Sequence, residues 1–93
     1  MVQRRPDVVL GGAGMVAGVH AAACQSLGWP VRAVASRSAD RADALARMVG
    51  APTRTYDDLL TKRLADLAIV ATPPASHVDD AIGLLEAGYQ VVV

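Results

Sequence analysis

The chain has 93 residues, 53% apolar and 19% charged, which bounds it to one small globular domain and excludes the high-charge, low-hydrophobicity compositions of disordered segments. Nine basic residues balance nine acidic ones; no electrostatic footprint argues for nucleic acid or an anionic membrane surface as partner. Cys24 is the single cysteine, which excludes a disulfide framework and a thiolate zinc site and favours a reducing, cytoplasmic setting.

At the N-terminus, Arg4-Arg5 ahead of the apolar stretch from Val8 to Cys24 has the outline of an export signal. The details go against it. Pro6 and Asp7 interrupt the approach, and glycines and His20 dilute the run. No stretch reaches the roughly 18 uninterrupted apolar residues that a membrane span needs.

Taken in chain order, the apolar runs Val8-Leu10, Val31-Ala35, Leu67-Ala71 and Val91-Val93 are too short for helices and rich in β-branched residues. They read as buried strands. Their continuous apolar character, in place of alternation, predicts coverage on both faces, the habit of parallel strands between helices. A helix about Met15 to Leu27 is crowded with small residues, including Ala17, Gly18, Ala21, Ala22 and Ala23, which permit close approach to neighbouring backbone. In the next helix Ala42, Leu45, Ala46 and Val49 fall at i, i+3, i+4 and i+7, with Arg41, Asp43 and Arg47 on the other side and Gly50 and Pro52 as the stop. Thr53-Thr55 reads as a short edge strand and Tyr56-Leu60 as a short helix. A last helix places Val78, Ala81, Ile82 and Leu85 on its buried face, with Asp79, Asp80 and Glu86 toward water and Gly88 as the stop. The alternation predicts an α/β fold: a doubly wound, mainly parallel sheet in a three-layer α/β/α arrangement, with right-handed crossovers. One domain spans the chain, whose last strand coincides with its last residues, so a truncated parent protein is expected.

Gly12-Ala13-Gly14-Met15-Val16-Ala17 matches G-x-G-x-x-A directly between a strand and a helix. Gly12 allows the tight turn, Gly14 lets backbone approach a pyrophosphate, and Ala17 keeps the helix close to the strand. The free N–H groups of the helix start, at Met15 and Val16, then hold phosphates with help from the helix dipole. In this context, with a strand before, a helix after and another strand about 20 residues on, the motif is the Rossmann-type signature of a dinucleotide site; a glycine-rich turn without ligand is the plainer alternative. The second strand ends in Ala35-Ser36-Arg37-Ser38, where an NAD-preferring site usually places a carboxylate for the adenosine ribose. Ser36, Arg37 and Arg41 instead offer donors to a 2′-phosphate, so NADP is favoured over NAD. Alternatively, Arg37 and Arg41 are solvated helix-start residues, or Arg37 stacks on adenine in either cofactor.

With G-x-G-x-x-A-x-x-H at Gly12 to His20, the Ser36-Arg37 strand end and Thr72-Pro73-Pro74-Ala75-Ser76-His77 in order, the chain resembles the N-terminal domain of the glucose-fructose oxidoreductase/inositol dehydrogenase (Gfo/Idh/MocA) family. The resemblance spans nearly the whole chain. It implies that Thr72, Pro73 and Pro74 line the cofactor near its nicotinamide end and that His77 begins the following helix beside it. It also implies a longer parent, continuing with a Glu-Lys-Pro segment and a substrate-binding domain that often mediates oligomers. The parent would be an oxidoreductase of sugars, polyols or related compounds. The chain alone is expected to bind nucleotide without turnover, because hydride transfer needs a second wall to hold the substrate.

Plainer roles are open to several of these residues. His20 reads as a packed helix histidine and Cys24 as a small buried apolar residue. His77 can equally help close a helix start, and Pro73-Pro74 can simply stiffen a turn. No catalytic triad, paired catalytic carboxylates or metal-ligand cluster stands out, so no catalytic residue is assigned. A non-catalytic dinucleotide-sensing module of the same fold is the competing reading. Short-chain dehydrogenases are disfavoured by the glycine spacing, a methyltransferase by the missing acid, and a P-loop enzyme by the absence of Gly-Lys-Ser/Thr. Uncovered apolar surface and an open sheet edge would favour a homo-oligomer and marginal stability.

Overall fold

The computed structural model describes residues 5–72 and 74–92, without the side chains of Met15, Pro74, Ala75 and His77. In chain order the elements are β1 (Val8–Gly11), α1 (Met15–Leu27), β2 (Val31–Ala35), α2 (Ala39–Val49), α3 (Tyr56–Thr61), β3 (Leu67–Val70), α4 (Pro74–Glu86) and β4 (Gln90–Val92). The strands form one four-stranded sheet in the order β2-β1-β3-β4, and every pairing is parallel. Thr53 adds an isolated parallel bridge to Val34. The expected edge strand at Thr53-Thr55 is thus reduced to a single bridge.

Strand side chains alternate between two cores. Val8, Leu10, Val34, Leu67 and Ile69 face one side, where Ala17, Ala21 and Cys24 of α1 and Ala42, Leu45 and Ala46 of α2 cover them. Val9, Ala33, Ala35, Ala68 and Val70 face the other, under Leu59 of α3 and Leu84 of α4. This is the three-layer α/β/α arrangement of a Rossmann-like fold. Coverage of both faces explains why β1 and β3 read as unbroken apolar runs: all four residues of each are buried. Edge strand β4 departs from that expectation. Gln90 and Val92 are exposed and only Val91 is half-buried.

The small residues of α1 act where they face the sheet, since Ala17, Ala21 and Cys24 at i, i+4 and i+7 are at most 2% exposed while Ala22 and Ala23 lie in solvent. In α2 the expected face is the buried one, and Gly50 ends the helix at φ 70°, a left-handed cap that glycine accepts without a Cβ penalty. Short α3 is fixed by a capping box: the Thr55 hydroxyl accepts from Asp58 N and the Asp58 carboxylate accepts from Thr55 N. Beyond its C-terminal end the buried Tyr89 hydroxyl lies 2.9 Å from the carbonyl of Leu59 and 3.0 Å from that of Lys62, and accepts from Leu64 N.

The face expected for the last helix is a correction. Of that face Ala81 is half-buried against the core, but Val78, Ile82 and Leu85 are 65%, 48% and 56% exposed, whereas Leu84 is fully buried. Asp80, expected in water, points inward with its side chain only 9% exposed. The period is helical but the phase is turned: Leu84 packs with Leu59 and Tyr89, and Asp80, one turn before it, shares that inward face.

Candidate nucleotide site

Strand β1 lies between β2 and β3, and its end is tied to both. Gly12 N donates to Ala35 O and Ala71 N donates to Gly11 O, each at 2.7 Å. Chains leaving the three strand ends enclose a pocket of about 480 Å³ at the carboxyl edge of the sheet, where ligands bind open parallel sheets. Its first wall is the glycine loop, Gly12 to Gly14, with Val16 of α1.

The two loop glycines are required for different reasons. Gly12 has φ 108°, and a Cβ there would come 2.5 Å from Ala71 O, so the fold itself demands glycine. Gly14 has an ordinary φ of −81°, and a Cβ there would meet nothing within 4 Å. The fold makes no demand at Gly14; it leaves open space over the start of α1. That helix start has no side-chain cap and no acidic residue in its first turn, so its backbone N–H groups and positive dipole end are available to an anion.

The second wall follows β2. Ser36 is half-buried and its hydroxyl accepts from Ser38 N at 3.1 Å; Arg41 reaches the pocket from the first turn of α2. Arg37 also lines it, but its guanidinium is engaged: Nη2 donates to Asp80 Oδ1 at 2.9 Å and Nη1 to Asp80 Oδ2 at 3.3 Å. The same guanidinium lies 4.8 Å from the centroid of the Tyr56 ring, a cation–π distance.

Ala71, Thr72, Ser76 and Tyr56 close the third side. Burial works to raise the Asp80 carboxyl, but hydrogen bonds from Arg37, Thr72 and Ser76, with the Arg37 charge, outweigh it and hold the group below the usual aspartate range. The Arg37 guanidinium is correspondingly strengthened, first by its hydrogen bond to Asp80. Burial, then the Asp80 charge, push the Tyr56 phenol up to about 12 against the opposing charge of Arg37. Its buried hydroxyl faces the Arg37 guanidinium, which works against that rise, but makes no well-formed hydrogen bond among the described residues.

Of the residues singled out in the sequence, Gly12, Gly14, Val16, Ser36, Arg37, Arg41 and Thr72 converge on this pocket. Pro73 lies outside the described residues, as do the side chains of Met15, Pro74 and His77, whose backbones belong to α1 and α4. His20 is half-buried within α1. Cys24 is buried and burial pushes its thiol up, as befits an inert core residue. Sequence reasoning missed Tyr56, Ser76 and Asp80. The sequence places Tyr56 at a helix start, but nothing local turns its ring toward the pocket, and nothing local marks Asp80, whose partner is 43 residues away.

The empty-sided Gly14, the uncapped start of α1 and the orphaned Tyr56 hydroxyl together suit an elongated ligand carrying phosphates and further polar groups. Among the described residues there is no group of three or more His, Cys, Asp or Glu that could hold a metal ion, and no helix is long and apolar enough to cross a membrane.

No curated protein sequence matches the chain. Among solved structures it is similar to GenD2 from gentamicin A biosynthesis in complex with NAD (30% identity, TM-score 0.86, 98% of this chain and 28% of that one). It is likewise similar to the WlbA dehydrogenase from Chromobacterium violaceum in complex with NADH and UDP-GlcNAcA (26% identity, TM-score 0.88, 98% and 27%). WlbA from Bordetella pertussis, with the same two ligands, matches at 25% identity with TM-score 0.87, over 95% and 28%. The chain thus spans little more than a quarter of the length of these proteins. The family model described as "Oxidoreductase family, NAD-binding Rossmann fold" (GFO_IDH_MocA) matches residues 7–93, and the chain belongs to that family.

Proposed function

We propose that the chain is the dinucleotide-binding domain of an NAD(P)-dependent oxidoreductase that acts on a sugar, polyol or related compound, with NADP favoured over NAD. The observation that carries the reading is the glycine loop. Gly12 is needed for the turn, whereas Gly14 is needed by nothing in the fold and opens onto uncapped helix N–H groups, the arrangement that admits a pyrophosphate. The sugar-related substrate class rests on family membership and on WlbA, whose complex holds UDP-GlcNAcA beside NADH.

A bound nicotinamide would supply the hydride acceptor or donor. The chain's own residues do the holding. The N–H groups at the start of α1 take the phosphates, and Ser36 and Arg41 face the adenosine ribose end from the wall after β2. Thr72 lines the side after β3, toward the nicotinamide end, and Pro73, Pro74 and His77 are assigned there with it. β2 itself ends in no carboxylate and Arg37 is paired with Asp80, so Arg41 is the cation left on that wall to meet a 2′-phosphate. One charge-assisted hydrogen bond to such a group is worth about 1.5–3 kcal/mol, or roughly ten- to a hundredfold in affinity.

Alone, the chain binds nucleotide without turnover, since reaction needs a substrate carbon fixed beside the nicotinamide and the described pocket lining is given over to the nucleotide. A reducing, cytoplasmic setting suits Cys24, and self-association suits the exposed stripe on α4. Calorimetric titration of the purified chain with NADPH and NADH tests the proposal. Tighter binding of NADPH by about tenfold is expected; binding of neither by a folded sample overturns it.

A further inference from the structure

The expected acid is missing from the end of β2, yet a carboxylate from α4 meets Arg37 on that wall. Asp80 stands on α4 with its side chain 9% exposed, against 59% for Arg37, and the two groups share a pair of hydrogen bonds. The buried carboxylate is therefore the fixed member and the guanidinium the held one. Thr72 and Ser76, both in the pocket lining, hold Asp80 from behind, while the Tyr56 ring limits Arg37 from a second direction. Arg41 is the contrast: it lines the pocket, is exposed, and makes no ion pair among the described residues.

We propose that Asp80 is a specificity-determining residue of this site: by holding Arg37 it withholds that guanidinium from a 2′-phosphate, so preference for NADP rests on Arg41 and is smaller than two free arginines would give. The physical reason is charge balance. A phosphate approaching Arg37 meets a neutral pair whose anionic member cannot move away, and the attraction of one charge is largely cancelled by the other. Asp80 thus acts through Arg37 as a positioning residue, making from α4 a restraint that other sites place on β2. The inference rests on the proposed dinucleotide site.

Its test is the ratio of NADH to NADPH dissociation constants, measured on the chain and its variants by calorimetry. Asp80→Asn is expected to raise that ratio about tenfold, mainly by tightening NADPH, while Asp80→Glu, which keeps the charge, restores the original value. Arg41→Gln, a change on an exposed helix face, is expected to bring the ratio of the otherwise unaltered chain close to one. It decides the matter if Asp80→Asn does not fold. An unchanged ratio in Asp80→Asn, equal weakening of both nucleotides, or a preference that survives Arg41→Gln overturns this inference alone. Binding of neither nucleotide by the unaltered chain overturns the proposed function and this inference with it.

Discussion

Helices α2 and α4 carry the same spacing of apolar side chains, but only α2 turns that stripe toward the sheet. In α2 the stripe has only a weak rival: Ala42, Leu45 and Ala46 are buried, and the other positions mix Asp40, Arg41, Asp43 and Arg47 with small or flexible apolar residues such as Ala44 and Met48. In α4 two apolar stripes compete, Val78/Ile82/Leu85 and Ala81/Leu84, and the second lies inward. Periodicity identifies a helix, and contrast between its faces is what reveals the phase. Phase was decided on α4 by long-range partners, Tyr89 and Leu59 for Leu84 and Arg37 for Asp80. The consequence reaches the site, because the rotation that buries Leu84 also brings a carboxylate against Arg37, which lines the nucleotide pocket.

That contrast can be broken most sharply by truncation. Leu84→Ala and Leu45→Ala are each expected to cost about 2–5 kcal/mol, with Leu84, the more deeply buried, at the upper end. Urea unfolding of the two variants measures it, and a near-neutral Leu84→Ala would mean that the other stripe of α4 faces the core. Tyr89→Phe removes the hydroxyl behind α3 and is expected to cost about 1–3 kcal/mol in the same assay, through unsatisfied buried carbonyls.

Next comes the alkaline limit. The folded-state pKa of Tyr56 is raised to about 12, above an unfolded value of about 10. The neutral phenol therefore stabilises the fold fully below the unfolded value, and that contribution is lost as pH rises from there through the folded one. A spectrophotometric titration should show a tyrosine ionising near 12 in the folded chain and joining the ordinary range when Arg37, Asp80 and the fold are lost in denaturant. The smallest effect sharpens the same comparison from the solvent side: Ile82→Gln on the exposed stripe of α4 should change stability by no more than about 0.5 kcal/mol.

The local parts of this molecule were legible in the sequence. Four strands, the α2 face with its Gly50 stop, and the glycine loop each follow from neighbours within a few residues, and the structure has each of them. Parallel pairing and the two-sided core follow too, because an unbroken apolar run needs cover on both faces. Less legible were features that depend on residues far apart. Thr53 makes only one bridge because it pairs with Val34, and edge strand β4 lacks the cover that its apolar residues suggested. Arg37 was readable as a pocket residue, but its commitment to Asp80 needs α4, packed on β3 and β4, to turn Asp80 toward the segment after β2, which no local pattern encodes.

The most direct test of the central claim, that the loop after β1 receives a dinucleotide phosphate, uses Gly14→Val. The backbone at Gly14 is extended and a side chain there meets nothing within 4 Å, so the variant should still fold, at a cost of no more than the roughly 0.5–2 kcal/mol of a poor N-cap, while losing NADPH and NADH binding in a calorimetric titration. Binding retained by the folded variant would contradict the account and place the nucleotide elsewhere.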